Sequence, residues 1–427
     1  MDPLEELISQ IQRCSSGSAE DVDKTFRHLK VAEDKGLLSQ SASRIGSVLD
    51  RIDPSQHSLA YLFLLEAYTA PKASKEQARG RVSTIARFID SCVADQIRLV
   101  PDKFVSVCRR FKDEILLLKT PMRGVAPLRI AIHKLQSSSG KLTTLHPDFL
   151  MLCLLAKCYK TGYSILEEDI FEMEHPKDLF LYLYYGGLIC IGLKSYRKAI
   201  ELLYSVVTAP KAASNAIAIE AHKKYILVSL IHSGKFLNNI PKHAQIVQSR
   251  NAKSLCQHYY DLGEVYCTGS VSELESFLEL NKDKFQSENN LGLAKQVVSS
   301  LYKRNIQKLT QAYLTLSLQD IANRVQLNTP KEAEIHVLQM IQDGEIFATI
   351  NQKDGMVNFH EDPEQYKTCE VMEQIDMSIQ RMLALSKKFN AVDENMSCDP
   401  AYLGKAKREQ RNRYDYDDFD PTQDFFM

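Results

Sequence analysis

Eleven histidines and ten cysteines are the side chains best suited to bind a metal or drive nucleophilic chemistry, and their spacing serves neither purpose. No histidines form an HxH or HExxH pair, so no helix face offers two imidazoles to one zinc ion. His222 and His232 lie ten residues apart in apolar helical surroundings, the setting of a core or surface histidine. The nearest cysteines, Cys153 and Cys158, make no CxxC pair, and like Cys190 they sit in apolar helical runs. That pattern indicates buried reduced thiols rather than a disulfide frame or a zinc site. No GxxxxGK[ST] loop, GxGxxG turn or G-x-S-x-G elbow occurs. Gly186-Gly187 lies within an aromatic helical run, where close helix packing is the better explanation. A Ser-His-Asp site assembled only in three dimensions is left open, but nothing points to one. We therefore assign no catalytic, cofactor-binding or metal-binding residue.

Composition narrows the classes further. With 53 basic and 54 acidic residues the net charge is −1, so nothing global draws the chain to nucleic acid or to an anionic membrane. An apolar content of 44% suffices for a packed core. The start, Met1-Asp2-Pro3-Leu4-Glu5-Glu6, lacks the apolar stretch of a signal peptide. Leu179 to Leu193 carries no charge but holds three Tyr and three Gly, and is shorter than the roughly 20 residues of a membrane span. A buried helix is expected there.

Helical periodicity dominates to about residue 310. Leu4, Leu7, Ile8 and Ile11 mark one face; Leu59, Leu62, Phe63 and Ala67 a second; Ile85, Phe88, Ile89 and Cys92 a third; Phe104, Val107, Cys108 and Phe111 a fourth. Short breaks at Pro71, Pro101, Pro121–Gly124, Ser137–Gly140 and His146–Asp148 separate them. The cadence predicts a mostly α, right-handed helical-repeat solenoid. Gly187 and Ala199, twelve apart, match the small residues that let the paired helices of tetratricopeptide repeats approach, and Pro210 ends the second helix. Further helices are expected near 216–233, 254–266, 271–280 and 293–313.

The pattern then changes. Ser317-Leu-Gln-Asp320 has the form of a capping box, with Leu318, Ile321, Ala322 and Val325 behind it. Thr329 suits an N-cap, Pro330 the first helical position, and Glu332 can reach back; Ala333, Val337, Leu338 and Ile341 are expected to face inward. Gly344 suits the left-handed position after the helix. Ile346–Ile350 and Met356–Phe359, joined through Asp354-Gly355, predict a hairpin. Helix, helix, hairpin over 313–360 is the winged-helix plan. A long last helix, about Cys369 to Asn395, carries Met372, Ile375, Ile379, Met382, Ser386 and Phe389 at alternating three- and four-residue spacing, a coiled-coil-like seam. The tail 398–427 has a basic block (Lys405, Lys407, Arg408, Arg411, Arg413) and an acidic one (Asp415, Asp417, Asp418, Asp420, Asp424); disorder until bound is expected.

A winged helix invites a nucleic-acid reading, and charge opposes it. Residues 331–345 carry Lys331 against Glu332, Glu334, Asp343 and Glu345, a net −3 where phosphates would need cations. Lys303, Arg304 and Lys308 form only a small basic cluster on a helix face. Partner binding fits better. The edge positions Ile346, Ala348, Ile350, Met356, Val357 and Phe359 could take a neighbour's strand, or be masked by the chain's own C-terminal segment. Met372, Ile375, Ile379, Met382 and Phe389 could join a bundle of helices from other chains, or pack on their own solenoid.

Helical repeats running into a winged helix resemble a PCI domain, the module of the proteasome lid, the signalosome and a translation initiation factor complex. Within that group Lys223–Leu230, Ser299–Ile306, Leu314–Asp320, Asp343–Ala348 and Ile350–Val357, with Gln257–Tyr266 less clearly, resemble the subunit 3 family of the COP-nine signalosome. Tyr402-Leu-Gly-Lys405 and the Tyr/Asp-rich end resemble plant members. The resemblance implies a helical-repeat solenoid over 1–195, a PCI domain over 196–364 (helical to 312, winged helix 313–360), a bundle helix over 365–397 and a tail from 398. It implies a non-catalytic scaffold subunit, in nucleus and cytoplasm, of the complex that removes NEDD8/RUB from cullins and so regulates cullin-RING ubiquitin ligases. Catalysis in that complex belongs to a zinc-dependent JAMM motif on another subunit, whose paired histidines are absent here. The implied partners are PCI and JAMM-type subunits and, indirectly, cullin-RING ligases, with no nucleic acid, membrane or cofactor; in plants such complexes repress photomorphogenesis in darkness. Alternatives at this point are a PCI-type nucleic-acid-binding adaptor, or a subunit of the lid or of the initiation factor complex.

Overall fold

A computed structural model describes residues 3–13, 19–40, 42–71, 73–138, 140–168, 170, 172–209, 215–235, 250–361, 369–400 and 402–404. Pro210 and most of the charged tail, including both charge blocks, lie outside them. The helices begin with α1 (Pro3–Arg13), α2 (Ala19–Asp34), α3 (Leu37–Gln40), α4 (Ala42–Leu49), α5 (Ser58–Thr69), α6 (Lys75–Ser91), α7 (Ala94–Ile97), α8 (Pro101–Leu118) and α9 (Met122–Leu135). A two-residue strand β1 (Lys141–Leu142), α10 (Leu145–Leu155), α11 (Tyr159–Leu166) and β2 (Glu172–Met173) follow. Next come α12 (Pro176–Gly192), α13 (Tyr196–Thr208), α14 (Asn215–Ser233), α15 (Arg250–Thr268), α16 (Val271–Leu280), α17 (Lys282–Ser287) and α18 (Leu291–Ala312). The last elements are β3 (Thr315–Ser317), α19 (Leu318–Val325), α20 (Pro330–Gln342), β4 (Phe347–Asn351), β5 (Met356–His360) and α21 (Cys369–Cys398). Packing divides the chain into two compact units, residues 1–312 with 318–337, and residues 313–317 with 338–427.

The first unit is a stack of helical repeats. The faces expected from periodicity are its core: Leu59, Leu62 and Phe63, then Ile85, Phe88, Ile89 and Cys92, then Phe104, Val107, Cys108 and Phe111 are all buried. Each fully buried side chain of this kind contributes about 1.5–3 kcal/mol. The apolar core runs without a break from Leu7 on α1 to Ala199 on α13, and a second core joins α14, α15, α16 and α18. Local chemistry sets the helix ends. Ser74 and Gln77 form a capping box at the start of α6, and Pro101 and Pro176 open α8 and α12. At the other end of α6 the Lys134 ammonium donates to the carbonyls of Ile89, Asp90 and Cys92 at 2.7–2.8 Å, satisfying acceptors the helix leaves free.

The hairpins α8–α9, α10–α11 and α12–α13 share a register, of which the spacing of Gly187 and Ala199 is the part visible in the sequence. Gly124, Gly162 and Ala199 recur at intervals of 38 and 37 residues, one in the first turn of each second helix. A β-carbon on Gly124 would lie 2.6 Å from Leu152 Cδ1, and one on Gly162 2.6 Å from Ile189 Cδ1. Those contacts are with the next hairpin; within its own pair the same β-carbon would lie 2.7 Å from Ile115 Cδ1 of α8 at Gly124 and 3.3 Å from Cys153 Cβ of α10 at Gly162, so both neighbours approach closely. The Leu179–Leu193 run is a buried helix as expected: α12 hides Phe180, Tyr182, Ile189 and Cys190. Among the described residues no helix is long and apolar enough to cross a membrane.

The second unit holds the sheet. Its order is β3-β5-β4, antiparallel throughout, with Leu316 and Ile350 both opposite Val357. In chain order the elements run strand, helix, helix, strand, strand, the winged-helix sequence with one strand more than the expected hairpin. The four residues after Asn351 turn the chain: its side chain accepts from Lys353 N–H and donates to Asp354, and Gly355 takes φ +64°. Gly344 is left-handed as expected (φ +70°), and Glu345 N–H closes the end of α20 on the Met340 carbonyl.

Candidate assembly interface

The sheet has one strand with no free side. β5 pairs with β3 through Thr315↔Asn358, Leu316↔Val357 and Ser317↔Met356, and with β4 through five further pairs. Met356, Val357 and Phe359 therefore offer no free main chain, which corrects their placement on an edge. The reason is β3: three residues long, it fills the side of β5 that a simple hairpin would have left open. Val357 and Phe359 are buried core residues.

β3 and β4 are the two edge strands, and β4, with five residues against three, is the longer. Ala348 and Ile350 lie on the half-buried face opposite Phe359 and Val357, while Ile346 precedes the strand and is buried. The other face of β4 is exposed and carries Phe347, Thr349 and Asn351. Thr349 Oγ1 and His360 Nε2, cross-strand neighbours on this face, lie 3.0 Å apart. Phe347 and Thr349 escaped the sequence reading, although strict alternation from Ile346 would have placed them outward.

On α20 the inward set is Ala333, Val337 and Met340, all fully buried. Leu338, expected inside, is 47% exposed, and Ile341 is half-buried, because Met340 occupies the 3-4-3 position behind Val337. The cap is close to expectation. Glu332 N–H donates to Thr329 Oγ1 at 3.3 Å, and the Glu332 carboxylate accepts from Asn328 N–H, one residue before the cap. The helix that would read DNA thus shows solvent two aliphatic side chains, Ile335 and Leu338, among net negative charge. Of the small basic cluster, Arg304 donates to the His232 carbonyl at 2.9 Å. It lies over Gly234, whose missing β-carbon makes room for the guanidinium.

α21 is the most unusual element. Apart from Val371, every side chain described on its 30 residues is exposed. Met372, Ile375, Ile379, Met382 and Phe389 keep the predicted seam, and exposed Val392 and Met396 extend it at the same spacing. At about 100° per residue these positions, with Leu383 and Leu385, cover roughly half the helix circumference. Glu373, Gln380, Lys387 and Glu394 lie on the other half. Helices in proteins draw most of their stability from packing an amphipathic face, and an exposed apolar face of this extent marks an interaction surface.

The titratable clusters of the first unit are structural. Lys223 and Lys224, which open the stretch 223–230, are buried. Lys223 bridges Glu220 and Glu288 at 2.9 and 2.8 Å, and Lys224 donates to Asn290 Oδ1 at 2.7 Å. Tyr259 donates to Glu288 and accepts from Asn290. Burial lowers the Lys224 pKa, while hydrogen bonds from Lys223 and Tyr259 outweigh burial and hold Glu288 below its ordinary value. This hydrogen-bonded network, with the Lys223–Glu220 and Lys223–Glu288 ion pairs inside it, clamps α14 and α15 to the start of α18. Of the described cysteines, Cys92, Cys108, Cys153, Cys190 and Cys256 are buried free thiols, and burial pushes Cys153 up to about 12. Cys267, Cys369 and Cys398 are exposed. Among the described residues no three His, Cys, Asp or Glu gather as metal ligands would.

Comparison with known proteins agrees with this architecture. Residues 22–248 match the family described as COP9 signalosome complex subunit 3, N-terminal helical repeats, and residues 274–361 match the PCI domain. The chain is 55% identical over 427 residues, all of it and 99% of the relative, to the Arabidopsis thaliana protein named COP9 signalosome complex subunit 3. It is 36% identical over 393 residues, 90% of the chain and 92% of the relative, to the Dictyostelium discoideum protein of the same name.

Proposed function

This chain belongs to the COP9 signalosome subunit 3 family, and from that premise we propose that it is a non-catalytic scaffold subunit of the signalosome. The family match selects this assembly over the proteasome lid and the initiation factor complex. The observation that carries the reading is α21, an amphipathic helix of 30 residues whose apolar half nothing described covers.

In this reading the repeats over 1–195 form an arm and the PCI domain over 196–364 a joint. The helix over 365–397 enters a bundle with the terminal helices of other subunits. Met372, Ile375, Ile379, Met382 and Phe389 make the bundle seam. The free main chain of β4, from Ile346 through Ala348 to Ile350, pairs with a strand of a neighbouring PCI subunit, and Phe347 and Thr349 meet its side chains. The assembled complex, acting in nucleus and cytoplasm, removes NEDD8/RUB from cullins through a JAMM-type subunit, so this chain acts on cullin-RING ligases only by placing other subunits. Native mass and composition of whatever co-purifies with the tagged chain test the reading. A large complex holding PCI and JAMM-type subunits supports it; a monomer, or a complex without them, refutes it.

A further inference from the structure

Three lysines occupy left-handed backbone positions that ordinarily select glycine. Lys119 (φ +55°), Lys157 (φ +58°) and Lys194 (φ +59°) follow α8, α10 and α12. Each turn closes alike, with the next residue's N–H returning to a carbonyl five residues back: Thr120 to Ile115, Cys158 to Cys153, Ser195 to Cys190. The lysines recur at intervals of 38 and 37 residues, the period of Gly124, Gly162 and Ala199. Equivalent positions in stacked repeats fall on one edge of the stack, and α8 packs on α10 as α10 does on α12. The three ammonium groups therefore form a ladder.

Several observations set this ladder apart from scattered surface lysines. All three are exposed, and none of their ammonium groups has a hydrogen-bond or ion-pair partner among the described residues. Each turn adds another exposed base, Arg123, Lys160 or Arg197, the last 3.6 Å from Glu201. The segments 117–124, 155–162 and 191–198 contain no Asp or Glu. At the first rung Arg79 joins Arg123 in a shallow cavity of about 390 Å³ that no carboxylate lines, where the buried Thr120 hydroxyl has no partner. Offsetting helix dipoles does not explain the choice, because a lysine in the last helical turn does that without left-handed backbone. Elsewhere the chain takes this conformation at glycines such as Gly234, Gly269, Gly344 and Gly355 and at the uncharged Asn289 and Gln326, so the cation is confined to the three repeat turns.

We propose that this edge of the helical repeats is a docking surface for an extended acidic segment of a partner protein. Neighbouring helix axes stand about 10 Å apart, and an extended chain advances about 3.3 Å per residue. The ladder therefore matches carboxylates at every third residue. Rungs about 10 Å apart are near the screening length of physiological salt, so they act together and weaken as salt rises.

The test uses the full-length chain and a fluorescent peptide of about 15 residues with Glu at every third position. A control peptide of the same composition has its Glu residues contiguous. Fluorescence anisotropy across a salt series should show binding that weakens with salt and favours the spaced peptide. The variant K119G/K157G/K194G should bind it at least about tenfold more weakly, with a Tm equal to or above the parent's because glycine relieves the left-handed backbone. That Tm separates lost binding from lost fold. Equal binding by parent and variant, no binding at low salt, or no preference for the spaced peptide overturns the proposal. So does tighter ladder-dependent binding of a single-stranded RNA, which would assign the edge to nucleic acid.

Discussion

Gly187 of α12 and Leu203 of α13 meet where no side chain fits between them: a β-carbon on Gly187 would lie 2.9 Å from Leu203 Cγ. The Ala199 carbonyl stands 3.8 Å from the same point. Gly187→Val should cost about 1–3 kcal/mol, the usual range for overpacking a tight core, read as a lower midpoint in urea denaturation. Gly292 faces open space, so Gly292→Ala should be neutral or stabilising. Equal effects at the two sites would mean that the hairpins do not close on their small residues.

A second prediction concerns acid. His146 and His222 are buried, and burial lowers both from the ordinary histidine value of 6.5 to about 4. The folded state keeps them neutral while the unfolded chain takes up a proton below pH 6.5, so stability is full above that pH and falls as pH drops toward 4. Each contributes a loss of about 3 kcal/mol across that window, at roughly 1.4 kcal/mol per unit. His146→Asn keeps an acceptor for the Thr143 N–H, which donates to His146 Nδ1 at 3.0 Å. Denaturation of this variant at pH 7 and pH 4.5 should show a smaller pH dependence than the parent; an unchanged dependence would contradict the assignment.

The buried pair Arg81 and Glu114 supplies a third. Their side chains are 8% and 9% exposed and 3.4 Å apart. Burial outweighs the guanidinium and raises the Glu114 pKa, and Arg81 Nε and Glu114 Oε2 have no partner. Arg81→Met strands a buried carboxyl and should cost about 3–5 kcal/mol, whereas adding Glu114→Leu should recover much of that loss. A double-mutant cycle by chemical denaturation gives the answer; a double variant less stable than R81M alone would mean that the pair earns its place by more than mutual neutralisation.

A fourth separates folding from assembly. Met382 and Phe389 are 70% and 72% exposed. Substituting both by Asp should leave the melting temperature of the first unit within about 1 °C, since exposed positions away from the core change stability little. The same variant should fail to co-purify with its partners. Retained assembly would remove the seam from the interface.

How much was legible followed from how many residues carried each signal. The helix faces rest on four or more apolar positions at regular spacing, and the structure buries Ile85, Phe88, Ile89 and Cys92 together as that spacing requires. The seam of α21 was readable for the same reason. β3 was not: Thr315-Leu316-Ser317 is too short to show alternation, and its pairing with β5 is set by distant contacts. Missing it put Met356, Val357 and Phe359 on an edge they do not occupy. Leu338 was misplaced because 3-4 spacing from Val337 admits either Met340 or Ile341, and packing chose Met340. The lysine ladder depends on left-handed backbone at three separated residues, which no local pattern announces.

The most direct measurement is the native mass of the complex assembled with the chain ended after Gln365, beside that assembled with the full chain. The shortened chain, having lost α21 but none of the helical repeats, should fold with an unchanged melting transition and elute apart from the other subunits. Normal incorporation of the shortened chain into the large complex would contradict the scaffold role assigned to its terminal helix.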